Sequence, residues 1–133
     1  MANILSIHHA CVEVNDIEDS LRYYREKMGF ELIDRETCGF GEYAMLRYGA
    51  ARVELIQRQP TTPNIVQPEG PLAHIGFEVD DVEGIFNELK KRGIIFKTEE
   101  VERCSEPLGG LVACSTVGPC GEVLSFYHFL KQI

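Results

Sequence analysis

The sequence of 133 residues contains no C-x-x-C pair and no run of Lys and Arg longer than Lys90-Lys91-Arg92. It also has no apolar run approaching the roughly 20 residues that span a bilayer. Each absence closes off a class of function. Five cysteines, Cys11, Cys38, Cys104, Cys114 and Cys120, form an odd set with neither zinc-knuckle spacing nor a disulfide framework, which fits a reducing compartment. The opening Met1-Ala-Asn-Ile-Leu-Ser lacks the charged-then-apolar layout of a secretion signal, so the expectation is a cytoplasmic protein with no membrane partner. Against 21 acidic residues stand only 13 basic ones, a net charge of -8 that argues against nucleic acid or an anionic membrane surface as a partner. Low-complexity sequence is missing as well: 44% hydrophobic and 26% charged residues are ordinary globular proportions. The length suits one domain, or two half-domain units sharing a core.

What is present is an internal repeat. His9-Ala-Cys-Val-Glu-Val-Asn-Asp-Ile-Glu18 placed over His74-Ile-Gly-Phe-Glu-Val-Asp-Asp-Val-Glu83 agrees at five of ten positions, with Asn/Asp and Ile/Val as near matches. Each copy reads first as a strand: Ala10, Val12 and Val14 alternate with His9, Cys11 and Glu13, as Ile75, Phe77 and Val79 do with His74, Gly76 and Glu78. Asn15 with Glu18, and Asp80 with Glu83, have capping-box spacing, which predicts that a helix starts at each. Ile17, Leu21, Tyr24 and Met28 then form one apolar stripe, and Val82, Ile85, Phe86 and Leu89 the other. Each helix runs through basic residues to a glycine, Gly29 or Gly93.

Further extended segments are predicted at Phe30–Ile33, Tyr43–Arg47 and Arg52–Gln57, and at Ile94–Lys97, Leu111–Cys114 and Glu122–Phe129. The pattern is one strand, one helix and three strands, twice. Between the copies, Arg58–Pro71 is rich in proline and turn formers and reads as a linker, with the potential to cover a site as a mobile loop.

With the helices on the faces carrying Val12 and Phe77, the residues His9, Cys11 and Glu13, and His74, Gly76 and Glu78, point to the opposite face. That face is unusually polar. Val53 and Leu55 mark the apolar side of their strand, which sends Glu54 to the other side with Arg52 and Ile56.

These residues resemble the vicinal oxygen chelate superfamily, which holds glyoxalase I, methylmalonyl-CoA epimerase, extradiol dioxygenases, fosfomycin-modifying enzymes and bleomycin-binding proteins. The resemblance is carried by His8-His9-Ala-Cys-Val-Glu-Val-Asn-Asp-Ile-Glu, Tyr23-Tyr24, Met28-Gly29-Phe30, Val53-Glu54-Leu55, Ala73-His74-Ile-Gly-Phe-Glu-Val-Asp-Asp and Gly118-Pro119-Cys120-Gly121. It implies an α+β fold of two tandem βαβββ modules, whose mixed sheet forms a cup with the helices on its outer face. The single domain would comprise module one at about 4–58, a linker at about 59–71 and module two at about 72–130.

The resemblance also implies a divalent metal held by residues of the first and last strand of each module. By motif these are His9, rather than His8, then Glu54 and His74. Two imidazoles and a carboxylate suit Ni, Co, Zn, Mn or Fe. In the fourth position, where the family carries a metal-binding Glu, stands Ser125, a weak ligand that cannot act as a base near neutral pH. Glu122 would need a bulge to reach the same face. Tyr127 shares the parity of Ser125 and is the candidate hydrogen-bond donor lining the cup.

The implied function is a metal-dependent lyase or isomerase, of the lactoylglutathione lyase kind or related to it, acting on a small oxygen-chelating substrate through a metal-stabilised enolate. Glu54 and Tyr127 are its catalytic candidates. The alternatives are a non-haem Fe(II) dioxygenase and a metal-free binding protein for small, antibiotic-type molecules. A homodimer is the implied assembly.

Overall fold

Alternating β-branched and polar residues build the strands, and the computed structural model describes them over residues 2–58, 72–119 and 122–131. The chain runs β1 (Ile4–Glu13), α1 (Ile17–Arg22) continued by a π-helical turn over Tyr23–Lys27, β2 (Glu31–Cys38), β3 (Gly41–Tyr48) and β4 (Ala51–Arg58). It continues with β5 (Leu72–Val79), α2 (Val82–Lys91), β6 (Glu102–Cys104), β7 (Leu111–Val117) and β8 (Val123–Phe129). Strand, helix and three strands, twice over, make the α+β pattern of paired βαβββ modules. The linker at 59–71 and the Cys120-Gly121 turn of the family motif lie outside the described residues.

Two compact units emerge, His9–Ala73 (the first-half unit) and Met1–His8 with His74–Ile133 (the second-half unit). In the first-half unit the strand order is β2-β3-β4-β1. Strand β4 is parallel to β1, with Cys11 beside Glu54, and antiparallel to β3, with Met45 beside Glu54 and Tyr43 beside Ile56. On the helix side Val14, Ile17, Leu21, Ala44, Leu46 and Leu55 form the core, with Val12 and Val53 against it. An irregularity in β2 between Leu32 and Asp34 shifts the register. One extra residue there exchanges faces, so Leu32 packs on the core while Asp34 pairs with Met45.

In the second-half unit, β8 lies parallel to β5 and antiparallel to β7, with Ser125 between Gly76 and Ser115. Its core is Ala2, Val79, Val82, Ile85, Phe86, Cys114 and Phe126, with Phe77 and Leu89 packed on it. The helix stripes thus cover the strand faces that carry Val12 and Phe77, as the alternation predicts.

Four local expectations are corrected. The N-caps are Asp16 and Asp81, one residue later than the predicted Asn15 and Asp80. Asp16 accepts from the amides of Glu18 and Asp19, and Asp81 from that of Gly84, while Asp80 accepts from Asn3 instead. The cap must sit immediately before the first helical residue for its short side chain to reach the free amides. Nor do Glu18 and Glu83 close capping boxes; their carboxylates pair with Arg35 and Arg103 on neighbouring strands. Met28 leaves the apolar stripe and is exposed, because the π-helical turn has more residues per turn than an α-helix and rotates the stripe past it.

The strand expected at Ile94–Lys97 does not form. Phe96 makes a lone bridge to Thr116, and β6 is instead Glu102–Cys104 paired with β7. Core packing decides this, since the Phe96 ring lies 4.7 Å from that of Phe86 and drives the segment inward rather than along a sheet edge. Both predicted glycine ends hold, with Gly29 at φ +82 and Gly93 at φ +89, values that L side chains rarely adopt. No helix among the described residues is long and apolar enough to cross a membrane. Among the described residues, Cys11, Cys38, Cys104 and Cys114 form no disulfide.

Candidate functional site

The face of the first-half sheet turned away from α1 is a grid of polar side chains set by register. Glu54 stands at its centre between Met45 and Cys11, and two residues further along β4 Ile56 stands between Tyr43 and Glu13. His9 precedes Cys11 on the same face of β1. Its Nε2 lies 3.5 Å from Glu54 Oε1, and both side chains are buried. At that distance a hydrogen bond is weak. Burial pushes the Glu54 carboxyl up to about 7, against the opposing effects of the Cys11 thiol that donates to it and of the Arg58 charge. Burial, then the Glu54 charge, holds the Cys11 thiol well above its ordinary value. Arg58 donates through Nε and Nη2 to Glu13 Oε1 at 3.1 and 3.0 Å.

Tyr43 lies on this face with no exposed surface, and among the described residues its hydroxyl has no hydrogen-bond partner. Burial and the charges of Glu54, Asp34 and Glu36 raise its phenol far above the ordinary tyrosine value. It stays protonated.

The second-half unit treats the matching positions differently. Tyr127 Oη lies 3.1 Å from His74 Nε2, and the Tyr127 ring stacks on Phe129 at 5.4 Å. Ser125 is buried and its hydroxyl lies 2.8 Å from that of Ser115. His8 sits here too, its ring centroid 4.3 Å from that of Phe129. Glu122 is exposed, and β8 keeps an unbroken register with β7 from Val123 onward, so no bulge turns Glu122 toward the face of Ser125.

Of the residues singled out in the sequence, the structure therefore joins His9 with Glu54 in one unit and His74 with Tyr127 in the other. Sequence reasoning missed Tyr43, the Cys11 thiol as a donor to Glu54, and Ser115 as the partner of Ser125. Parity along each strand was the available signal for all three. Which residue of β3 or β7 stands beside which residue of β4 or β8 is a matter of register.

The first-half pair suits a divalent cation. Ligand atoms of one tetrahedral ion, each about 2.0–2.1 Å from it, stand about 3.3–3.4 Å apart, close to the 3.5 Å between His9 Nε2 and Glu54 Oε1. A buried carboxylate whose charge is disfavoured by desolvation is also a group that a cation stabilises.

The sequence model of the Glyoxalase/Bleomycin resistance protein/Dioxygenase superfamily matches residues 6–121. The chain belongs to that superfamily. Among relatives of this glyoxalase-superfamily chain, the uncharacterized protein YwkD of Bacillus subtilis strain 168 is 30% identical over 109 residues, covering 79% of this chain and 82% of that one. Similar solved structures include a methylmalonyl-CoA epimerase in complex with methylmalonyl-CoA and NH4+, with a TM-score of 0.81 and 18% identity over 96% of each chain. The methylmalonyl-CoA epimerase of Mycobacterium tuberculosis has a TM-score of 0.82 and 15% identity, covering 96% of this chain and 90% of its own. At these identities the likeness is one of fold, and it is the vicinal oxygen chelate fold that the sequence resemblance implied.

Proposed function

We propose that this chain is a metal-dependent enzyme of the isomerase or lyase type, in which His9, Glu54 and His74 hold one divalent cation and a small oxygen-chelating substrate binds beside them. One observation carries the reading: a superfamily member with a buried His9–Glu54 pair at the spacing of two ligands. The matching repeat position of His74 and the two-imidazole, one-carboxylate donor set support it. When bound, the cation supplies Lewis acidity toward two adjacent substrate oxygens. The epimerase neighbours support an isomerase-like role, and the methylmalonyl-CoA held by one of them has acyl oxygens of the kind such a cation takes.

The chain's own residues set the rest. Cys11 orients the Glu54 carboxylate through its thiol. Tyr127, hydrogen-bonded to His74 Nε2, is the second-half group able to hold or pass a proton at its Oη. Ser125 offers a neutral hydroxyl already engaged with Ser115, so proton transfer does not fall to that position. A homodimer in the cytoplasm is the proposed setting.

Metal analysis of the purified protein is expected to find about one equivalent of divalent metal per chain, lost in His74→Ala. Ser125→Glu should tighten its retention by completing the donor set. An unaltered protein that binds no divalent metal would overturn the reading in favour of metal-free small-molecule binding. Turnover confined to the Fe(II)-loaded protein with oxygen would move it to the dioxygenases.

A further inference from the structure

Tyr43 is a polar residue of the first-half face that neither the fold nor the metal reading uses. Its side chain is fully buried, yet among the described residues the hydroxyl meets no acceptor. A buried donor without a partner costs about 1–3 kcal/mol, so a phenylalanine would pack there at lower cost. Nor does the module require an aromatic ring. Ser125 answers Glu54 in the repeat and Tyr127 answers Ile56, so the residue beside Tyr127 on β7, Ala113, answers Tyr43, which stands beside Ile56 on β3. Position matters too. Tyr43 is one strand across and two residues along from Glu54, a Cα separation of about 8 Å that the length of a phenol largely spans.

We propose that the Tyr43 hydroxyl donates a hydrogen bond to one oxygen of the chelating ligand seated at His9 and Glu54. This rests on the metal reading above and adds to it the residue that orients the ligand. The electrostatics favour a donor at this point. Glu36 stands beside Tyr43 on β2 and Asp34 two residues away, and a ligand that brings anionic oxygens near these carboxylates needs a neutral or positive donor to meet them. Tyr43 supplies a neutral donor, and burial of its ring fixes where the hydroxyl oxygen stands.

The test uses the full chain loaded with Co2+ and titrated with acetohydroxamate, a bidentate oxygen chelator, followed by calorimetry and by the cobalt absorption bands. Tyr43→Phe should hold cobalt as tightly as the unaltered protein and melt at the same or a higher temperature. It should bind acetohydroxamate about 10- to 100-fold more weakly, the usual range for a hydrogen bond to a charged group. Equal acetohydroxamate affinity with cobalt retained overturns the role of Tyr43 and leaves the metal site standing. Loss of cobalt, or a lower melting temperature, assigns the hydroxyl to metal holding or to structure and overturns it as well. An unaltered protein that takes up no cobalt overturns the metal reading, and this inference with it.

Discussion

The two half-units share one pattern of strands and differ in how their polar faces are satisfied. In the second half, Ser125 has a hydroxyl partner in Ser115 and Tyr127 a ring-nitrogen partner in His74. The first half carries a desolvated carboxylate at Glu54, and, among the described residues, a Tyr43 hydroxyl that meets no acceptor and a buried Glu13 oxygen, Oε2, that meets no donor. Folding stability alone selects against such groups. Their concentration on one face teaches that this half is arranged for something other than its own stability, whereas Ser125 and Tyr127 of the second half have hydrogen-bond partners.

The comparison breaks most sharply at the metal. Glu54→Gln is expected to lower metal affinity by about two orders of magnitude or more, while Ser125→Ala leaves it unchanged, both read by equilibrium dialysis against a divalent ion. Equal losses would mean that the faces contribute alike. Next in size is the serine pair. Ser115→Ala strands the buried Ser125 hydroxyl and should cost about 1–2 kcal/mol in urea denaturation, with Ser115→Ala/Ser125→Ala recovering part of that loss. A double variant no better than the single one would show that the pair is not coupled.

A smaller contrast separates the two tyrosines. Tyr127→Phe gives up a formed hydrogen bond and should lose about 1 kcal/mol, whereas Tyr43→Phe should be neutral or slightly stabilising in the same denaturation measurement. The smallest effect concerns the helix entries. Asp80, held below its ordinary carboxyl value by the hydrogen bonds from Asn3, contributes stability that is present above about pH 3.8 and is lost as pH falls through its lowered folded value. Asp80→Asn should flatten that part of the acid unfolding curve. The matching first-half residue, Asn15, does not titrate, so its replacement by Ala should leave the slope as it is.

Much of the fold was legible because it rests on local chemistry. The period-two alternation around His9 and His74, the period of 3.6 in the helices and the glycine ends all follow from backbone sterics and from which side of an element is apolar. The failures have a common cause. Asn15 and Asp16 are both good caps, as are Asp80 and Asp81, and the choice falls to whichever sits one residue before the helix once its apolar stripe is packed. Ile94–Lys97 has the composition of a strand, but Phe96 is needed in the core. Met28 has the spacing of a stripe residue until a π-helical turn intervenes.

For the site, the repeat by itself determined that His9 answers His74 and that Glu54 answers Ser125, because period-two alternation places each on a known face without reference to any neighbour. Only the tertiary structure decided that Glu54 would be desolvated between Cys11 and Met45, that Ser125 would bond to Ser115, and that Tyr43 would be buried with its hydroxyl unmatched. The physical reason is register. A strand's own sequence says which side chains share a face, but their neighbours on adjoining strands, and so their solvation and hydrogen bonding, exist only once the strands are aligned.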